Sequence, residues 1–357
     1  MSEADFPTTP EQLGPEQLTA YLRESGHLPQ GRVAAAARVM IGTGKMGDNA
    51  RYTLSYEAAT GEPPATLVAK FPAADETARA MAGSLGAYYH EVMFYRELAA
   101  GTTMRTPAVY ASEISDDHSS FLLLMEDMSP AEPGSQLVGE SRERAALALS
   151  EAARLAAAYY GDENLGTRDY VMSPARDDGG TLGQAFLEQA WPGFLDRFGA
   201  DLSEPCVAFG ERYVEHHTHF VTRFQGPKTL VHGDFRSENI LFGADTATTV
   251  DWQTISEAGP LTDAAYFLGG SVEIDARREW ERNLIEGFRV ELERGGASLG
   301  ADECWEQYRE AAMHGLIITV LGAAFSTPDE RSDRMFLAMI RRHLQHCVDL
   351  DAGEFLP

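Results

Sequence analysis

Apolar and polar residues alternate with the two-residue period of β-strands in the first third of the chain, where Tyr52, Leu54 and Tyr56 alternate with polar neighbours. The region 34–57 is therefore predicted to form a strand, a glycine-containing turn and a second strand. Apolar residues at helical spacing follow in 77–98. Further strands are predicted at 66–71, 108–114 and 120–126, and a short amphipathic helix at 10–25. This order of strands, one main helix and more strands predicts a small β-rich lobe.

The pattern changes after Met128. Polar residues and glycines up to about residue 140 predict a linker, and helical periodicity dominates the rest of the chain. Helices are predicted at 141–160, 184–223, 273–293, 302–324 and 330–349. At 357 residues the chain is long enough for two lobes with their own cores. The predicted fold is therefore α+β, with a β-rich lobe in 1–128 and a larger, mostly helical lobe in 129–357.

A short segment between apolar strand ends carries the side chains of a phosphoryl-transfer site. Its sequence from 230 to 242 is LVHGDFRSENILF, with Asp234 followed five residues later by Asn239, and Asp251 follows a second predicted strand. An Asp can orient and deprotonate a hydroxyl, and an Asn and a second Asp can hold magnesium against nucleotide phosphates. This spacing predicts Asp234 as the catalytic residue, Asn239 and Asp251 as Mg²⁺ ligands, and ATP as the cosubstrate.

The motif His-Gly-Asp-x-x-x-x-Asn at 232–239, followed by Asp251-Trp252, resembles the aminoglycoside phosphotransferase and choline kinase superfamily. Protein kinases instead carry an Arg at the position of Gly233, and Asp-Phe-Gly at the second site. The run GPLTDAAYFL at 259–268 is similar to the ecdysteroid kinase-like branch of that superfamily.

The resemblance covers about 35–350 and implies a bilobal protein-kinase-like fold. In this superfamily the first His of the motif and the Asp of the Gly-Pro-x-x-Asp run support the catalytic loop. The resemblance therefore implies a structural role for His232 and for Asp263.

A glycine-rich turn lies in the predicted small lobe. Gly42, Gly44 and Gly47 form a lone G-x-G-x-x-G, which is weak by itself because dinucleotide-binding folds and plain hairpin turns share it. A second predicted strand follows the turn, which favours a kinase glycine loop whose backbone N–H groups cover the phosphates. Asn49 lies where the ecdysteroid kinase-like branch carries a Gly-x-Asn element.

Other residues of this lobe are candidates for nucleotide binding. Lys70, near the end of a predicted strand, can reach the α- and β-phosphates, although an ordinary edge-strand lysine is the default in isolation. Glu91 lies in a segment like the superfamily's E-x-x-F/Y-Y element and can pair with Lys70, whereas Glu97 lies off the same helix face. The apolar strand that ends at 126–128 resembles the kinase hinge, where backbone groups at Glu126 and Met128 would bind adenine.

Three further groups admit two interpretations. Arg236, inside the loop, can contact phosphate or substrate, or it can pair with Glu238. Histidines and a cysteine at metal-like spacing occur in 216–219 and 343–347, but CxxC-type partners are missing, so surface histidines and a core thiol are the default.

Composition narrows the classes of partner. A formal net charge of −26 argues against binding of nucleic acid or anionic membranes. The acids are spread along the whole chain, which favours a solvated surface over a device that attracts cationic substrates. No apolar run can span a bilayer, no signal-peptide pattern is present, and three scattered cysteines fit a reducing compartment. We therefore expect a cytoplasmic protein, whose oligomeric state the sequence leaves open.

These features predict a small-molecule kinase that uses ATP and Mg²⁺. Aromatic residues of the helical lobe favour a lipophilic alcohol, such as a steroid or terpenoid, if they line a cavity and not only the core; they are Trp191, Phe194, Phe198, Phe220, Phe224, Trp305, Tyr308 and Phe325. An aminoglycoside or amino alcohol is the alternative acceptor, for which acids would line the site: Asp302, Glu303, Glu306, Asp329 and Glu330. A non-catalytic nucleotide-binding regulator is a third possibility, although no predicted catalytic residue is missing.

Overall fold

The computed structural model describes residues 5–42 and 46–357. These residues form two compact units. The first contains the described residues up to Gly101 together with Thr106–Pro130 and Asp251–Thr254, and the second contains Thr102–Arg105, Ala131–Val250 and Ile255–Pro357.

The first unit is built on a five-stranded antiparallel sheet with the order β1-β2-β3-β5-β4. Its strands are β1 (Gln30–Ile41), β2 (Gly47–Thr60), β3 (Thr66–Pro72), β4 (Val109–Ile114) and β5 (Phe121–Glu126). Its helices are α1 (Pro15–Glu24), α2 (Glu76–Ser84) and α3 (Ala87–Met93), followed by a π-helical turn at Phe94–Leu98 and a 3-10 turn at Ala99–Gly101. Alternate residues of β2 and β3 point into a core that also includes Leu18 and Leu22 of α1.

The helix predicted over 77–98 is broken in the structure. α2 ends at Ser84, and α3 begins only after Gly86, whose φ of 70° lies in the left-handed region that glycine tolerates best. The periodicity of apolar residues continues across this break, which is why the sequence predicts a single helix.

The second unit is mostly helical. Its helices are α4 (Arg142–Ala158), α5 (Pro174–Asp177), α6 (Thr181–Phe198), α7 (Glu204–Glu215), α8 (His217–Arg223), α9 (Thr262–Ser271), α10 (Ile274–Arg294), α11 (Ala301–Ala311), α12 (His314–Phe325) and α13 (Glu330–Asp349). Five short strands form two small sheets: β6 (Glu132–Pro133), β7 (Thr229–Val231), β8 (Ile240–Phe242), β9 (Ala247–Thr249) and β10 (Ser256–Ala258). The 3-10 turns are Leu165–Thr167, Gly199–Asp201, Ser237–Asn239 and Ala352–Phe355. Strand β7 pairs with β10, and β8 pairs with both β6 and β9.

The structure confirms the predicted α+β class, and it differs from the sequence prediction at two helices of the second unit. Helix α9 was not predicted, because every one of its residues is buried and it therefore lacks a polar face. The single helix predicted at 302–324 is two helices, α11 and α12. No helix in the described part of the chain is long and apolar enough to cross a membrane.

Candidate active site

The first unit holds a buried lysine between two carboxylates. Lys70 of β3 is 6% exposed, and its Nζ lies 2.8 and 2.7 Å from the two carboxylate oxygens of Glu91 on α3. The same Nζ lies 2.7 Å from Oδ1 of Asp251. Burial alone would lower the pKa of Lys70, but the Asp251 and Glu91 carboxylates outweigh it and raise that pKa. Lys70 is therefore a fixed cation at neutral pH.

Glu91 is the partner of Lys70, and Glu97 is not. Glu91 is only 1% exposed, whereas Glu97 lies exposed on the π-helical turn that follows α3. Burial raises the pKa of Glu91, and the Lys70 ammonium acts in the opposite direction. A carboxylate this deep in the protein depends on the lysine to remain charged.

The segment Asp251-Trp252-Gln253 contacts α3 and the π-helical turn that follows it. Asp251 has a positive φ of 70°, an uncommon backbone conformation for a residue other than glycine. The Trp252 ring stacks on Phe94 with centroids 3.6 Å apart and an interplanar angle of 6°. Gln253 Nε2 donates to Glu91 Oε2 at 3.2 Å. These contacts fix the direction in which the Asp251 carboxylate points, and its side chain stays 38% exposed.

The described residues of the predicted glycine loop include Gly47 and Asn49, which lie on β2 and pair with β3. Asn49 of β2 is the register partner of Lys70 in β3. A Cβ added at Gly47 would lie 3.0 Å from the Phe71 carbonyl oxygen, a tight contact, and 3.5 Å from Cε of Lys70, so a side chain there would press on β3 next to the lysine. Gly42 has a φ of 76°, which favours glycine, and Gly44 lies outside the described residues.

The predicted hinge follows the last residues of β5. Glu126 donates its backbone N–H to Ala108 O at 2.8 Å and accepts the Ala108 N–H on its carboxylate at 3.2 Å. Asp127 pairs with Arg51 Nε at 3.0 Å. Met128 is half-buried. Adenine binding at Glu126 and Met128 stays a prediction.

In the second unit the loop after β7 brings Asp234 and Asn239 together. Asn239 Nδ2 donates to Asp234 Oδ2 at 3.0 Å and to the Asp234 backbone carbonyl at 2.9 Å. Arg236 Nε donates to the same Oδ2 at 3.1 Å, and the Tyr266 hydroxyl donates to Oδ1 at 2.7 Å. Both oxygens of the Asp234 carboxylate are therefore held by named donors, which leaves its remaining lone pairs for a further partner.

The backbone of this loop is supported from three sides. Asp263 accepts the N–H groups of His232 and Gly233 at 2.7 and 3.1 Å. His232 Nε2 lies 3.1 Å from Val250 O, and His314 Nε2 lies 2.9 Å from Gly233 O. Burial raises the pKa of Asp263, while His232 and the two N–H donors act in the opposite direction. His232 and Asp263 thus lie where a supporting role requires them.

Arg236 forms ion pairs inside the loop. Its Nη1 lies 2.6 Å from Glu238 Oε2, and its Nε contacts Asp234. Glu238 Oε1 also pairs with Arg331 of α13 at 3.0 Å. The pairing of Arg236 with Glu238 is present, and a contact of Arg236 with phosphate or substrate remains a prediction.

Several residues at these sites were not assigned a role from the sequence. Tyr266 stands one helical turn after Asp263, and Gln253 directly follows Asp251-Trp252, so their positions in the motifs were the available signals. His314 carried no signal, because it lies 81 residues from its partner Gly233.

A buried polar network also holds the end of the loop. The backbone N–H of Ser237 donates to Gln136 Oε1 at 2.9 Å and to Ser271 Oγ at 3.1 Å, and the Ser237 hydroxyl donates to Glu140. No sequence pattern pointed to Gln136 or Glu140, which lie in the predicted linker.

The histidine clusters differ from expectation. His217, His343 and His346 are buried, so their assignment as helix-surface residues is wrong. The burial of Cys347 agrees with a core thiol. Among the described residues, no group of three or more His, Cys, Asp or Glu side chains could hold a metal.

The donor types suit magnesium only in combination with a nucleotide. Asp251 and Asn239 offer the hard oxygen ligands that Mg²⁺ prefers, and Mg²⁺ characteristically takes one or two protein carboxylates and completes its shell with phosphates and water.

The chain belongs to the ecdysteroid kinase-like family, whose model matches residues 46–300. It is thus a member of a kinase-like phosphotransferase family, and the branch indicated by the 251–268 motif is confirmed. No curated protein sequence matches the chain significantly.

Solved structures confirm the kinase-like fold. A protein of Ralstonia eutropha, provisionally assigned as an aminoglycoside phosphotransferase, matches with a TM-score of 0.53 and 15% identity over 94% of this chain and 98% of its own. Choline kinase from Cryptosporidium parvum matches with a TM-score of 0.53 and 8% identity over 90% of this chain and 92% of its own. The GDP complex of aminoglycoside 2'-phosphotransferase-IIIa matches with a TM-score of 0.51 and 14% identity over 94% and 98%. At these identities the likeness concerns the fold alone.

Proposed function

We propose that this protein transfers the γ-phosphoryl group of ATP to a hydroxyl of a small lipophilic alcohol. The observation that carries the proposal is the Asp234 carboxylate, held on both oxygens by Asn239, Arg236 and Tyr266 inside the family's catalytic motif. Phosphoryl transfer asks the protein mainly for positioning and charge neutralisation, and an oriented carboxylate supplies the first of these for the acceptor hydroxyl.

The first unit supplies the nucleotide side of the proposed reaction. Lys70, fixed by Glu91, would contact the α- and β-phosphates, and the backbone around Gly42, Gly44 and Gly47 would cover them. Asn49 would support that turn, and the backbone at 126–128 would bind the base. Asp251 and Asn239 would hold Mg²⁺, which when bound neutralises charge on the phosphates.

A cavity in the second unit supports the choice of a lipophilic acceptor. Its volume is about 570 Å³, and it lies between α6 and the end of α12. Small-molecule sites typically have volumes of about 300–1,000 Å³ and mostly apolar walls. The described lining residues include four phenylalanines, one arginine and no acid; the phenylalanines are Phe186, Phe194, Phe198 and Phe325.

The charge of this cavity disfavours a polycationic acceptor. The five acids proposed for an aminoglycoside site are all exposed, and none of them lines the cavity: Asp302, Glu303, Glu306, Asp329 and Glu330. A second cavity, beside α8 and β10, contains Glu257 and Glu310 but has a volume of only about 120 Å³. An aminoglycoside is too large for a space of that size.

Ion pairs connect the wall of the larger cavity to the catalytic loop. Arg197 of α6 donates to Ala323 O at 3.1 Å and pairs with Asp333 of α13. On the same helix, Arg331 pairs with Glu238, which in turn pairs with Arg236 of the loop. The wall of this cavity is thus linked through α13 to the loop that carries Asp234.

The proposal is tested by Mg²⁺-dependent release of ADP from ATP across steroid, terpenoid, amino-alcohol, sugar and aminoglycoside panels. Asp234→Asn serves as the blank, and Asp245→Asn, the same change at an exposed loop position, serves as the matched control. Release that needs a steroid or terpenoid, survives in the control and vanishes in the blank supports the proposal. ADP release with aminoglycosides alone would show that the acceptor is an aminoglycoside and not a lipophilic alcohol.

The cavity itself is tested by filling it. Gly193 of α6 lines the cavity, and a Cβ added there meets no atom within 4 Å, so Gly193→Leu adds a side chain at the cavity wall. Gly287 of α10 is also an exposed helical glycine with open space around it, and Gly287→Leu is the matched control. We expect Gly193→Leu alone to raise the KM for the acceptor while the KM for ATP stays constant.

A cytosolic location is part of the proposal. The three cysteines are buried and free, which suits a reducing compartment.

A further inference from the structure

Tyr266 is a buried residue that neither the family motif nor the sequence analysis assigns to the reaction. It lies on α9, is 1% exposed, and donates its hydroxyl to Asp234 Oδ1 at 2.7 Å. The other two donors to this carboxylate, Asn239 and Arg236, both contact Oδ2. Among the hydrogen bonds described for this side chain, Tyr266 is thus the one donor that holds Oδ1.

We propose that Tyr266 is a positioning residue, which fixes the rotation of the Asp234 carboxylate so that one oxygen faces the acceptor hydroxyl. This inference rests on the proposed function, because it assumes that Asp234 orients that hydroxyl. With donors on only one oxygen, a carboxylate can still rotate about its Cβ–Cγ bond, whose torsional preference is broad. A donor on each oxygen removes that freedom.

Helix α9 supports the loop at two levels. Asp263, in its first turn, accepts the backbone N–H groups of His232 and Gly233. Tyr266, three residues later and so on the same helix face, holds the side chain of the next loop residue, Asp234. All residues of α9 are buried, which makes the helix a rigid support for both contacts.

The Tyr266 ring is itself held between two histidines. His343 of α13 stacks on it with centroids 5.2 Å apart and an interplanar angle of 4°. His314 meets it edge-on, at 5.6 Å and 89°. His314 also contacts the carbonyl of Gly233, so one histidine touches both the loop and the tyrosine that supports it.

The packing around His343 leaves that imidazole little room to move. A Cβ at Gly315 would lie 2.2 Å from the His343 ring, and one at Gly270 would lie 2.6 Å from it. The space that these glycines leave open is filled by the imidazole, which in turn fills the space beneath Tyr266. The hydroxyl direction of Tyr266 is therefore determined by close packing from α9, α12 and α13.

Tyr266 is a donor throughout the physiological pH range. Burial, followed by the negative charge of Asp234, raises its pKa well above 10.0. A neutral hydroxyl can orient the carboxylate without being consumed in the reaction. Its effect should thus fall on the chemical step, and the binding of ATP or acceptor should not change.

The experiment compares Tyr266→Phe with Tyr308→Phe. Tyr308 is the matched control, because it is also a fully buried tyrosine that donates to a carboxylate, Glu281 at 3.0 Å, and also packs against a histidine of α13, His346. Each change removes one oxygen and keeps the ring. We expect Tyr266→Phe to lower kcat by roughly ten- to a hundredfold, the effect of one hydrogen bond to a charged group, with both KM values within about twofold of wild type. Tyr308→Phe should lower the melting temperature and leave kcat unchanged.

Other outcomes overturn the inference. A loss of kcat that is equal in both variants would show a merely structural role, and a raised KM at constant kcat would show a binding role. An unchanged kcat in Tyr266→Phe, in an enzyme that Asp234→Asn inactivates, would refute positioning by Tyr266 and leave the proposed function intact. A wild-type protein that phosphorylates nothing would refute the proposed function, and this inference with it.

A double-mutant cycle of Tyr266→Phe and Asp234→Asn, measured by urea unfolding, adds a readout that is independent of turnover. A favourable coupling between the two residues is expected if the hydroxyl holds the carboxylate. Additive effects on the free energy of unfolding would contradict the contact on which the inference depends.

Discussion

Replacement of Glu91 by Gln tests whether the buried cluster around Lys70 is an ion pair on which the first unit depends. The Glu91 carboxylate accepts two hydrogen bonds from Lys70 Nζ and one from Gln253 Nε2. Gln has almost the same shape but only one acceptor oxygen. Because Lys70 Nζ contacts both oxygens, the amide NH₂ of Gln must face Lys70 in either orientation, and in one of the two it also faces Gln253 Nε2.

The expected decrease in the free energy of unfolding follows from the burial of this cluster. Removing one partner of a buried ion pair typically costs about 3–5 kcal/mol, because the other charge is left without compensation. Here Lys70 keeps Asp251 as a partner, and the glutamine keeps one oxygen. We therefore expect the lower end of that range, a decrease in the free energy of unfolding of about 3 kcal/mol.

The assay is equilibrium unfolding in urea, which is uncharged and does not screen the ion pair as guanidinium chloride would. Glu97→Gln is the matched control, since Glu97 follows in the adjacent π-helical turn but is exposed. A surface change of this kind should stay within about 0.5 kcal/mol. If Glu91→Gln were as mild as Glu97→Gln, the cluster would not be an ion pair that stabilises the fold.

Three further variants test other parts of the site. Asp263→Asn leaves one of two buried backbone N–H groups without an acceptor. We expect the free energy of unfolding in urea to fall by about 1–3 kcal/mol and kcat to decrease. Full activity and full stability would contradict the supporting role of Asp263. Burial, followed by the charges of His314 and Arg342, lowers the pKa of His343 to about 3. Below about pH 6.5 the unfolded chain therefore protonates this imidazole, while in the folded protein it stays neutral. The contribution of His343 to stability is thus complete above pH 6.5 and is lost as the pH falls toward 3. His343→Asn should reduce the slope of stability against pH between 4 and 6 by up to about 1.4 kcal/mol per unit, whereas exposed His219→Asn should not, and an unchanged slope in both would refute the assignment. Gly47→Val should press on the Phe71 carbonyl oxygen, shift β3 next to Lys70 and raise the KM for ATP without changing the KM for the acceptor, which steady-state kinetics measures directly.

The sequence predicted most of what depends on local patterns. Strand alternation located β2, although this strand extends three residues beyond the predicted end, to Thr60. The strands predicted at 66–71 and 120–126 match β3 and β5 to within one residue, and helical spacing located α10 and α13. The Lys70–Glu91 contact was also predicted, because the segment around Glu91 resembles the superfamily's E-x-x-F/Y-Y element. Helix breaks were not predictable, since the apolar period runs through Gly86.

Contacts between distant segments could not be predicted in this way. Asp251, the second partner of Lys70, is 181 residues away and entered the sequence analysis only as a metal ligand. Tyr266 lies within a recognised motif, yet its contact with Asp234 depends on how α9 packs beneath the loop. The close packing around the His343 imidazole requires glycines on two different helices, at Gly270 and Gly315, and no periodicity of the sequence predicts this.

In the first unit, two carboxylates, those of Glu91 and Asp251, compensate the charge of the buried Lys70 ammonium. A lysine with two carboxylates carries a net negative charge without ligand, and Asp251 is the one of them that remains substantially exposed. In the proposed reaction the incoming phosphates are also negative, so Mg²⁺ at Asp251 would compensate the repulsion that Lys70 alone cannot. In the proposed reaction, the arrangement would thus favour metal-bound nucleotide over free nucleotide.

The most direct test of the central claim is mass spectrometry of the acceptor after incubation with ATP and Mg²⁺. The alcohol that gives the strongest ADP signal is compared for wild type, Asp234→Asn and the Asp245→Asn control. The account predicts an acceptor heavier by one phosphoryl group with wild type and control, and an unmodified acceptor with Asp234→Asn. An acceptor that stays unmodified while wild type and Asp234→Asn release ADP equally would contradict it, because phosphoryl transfer to a hydroxyl would then not be the reaction of this site.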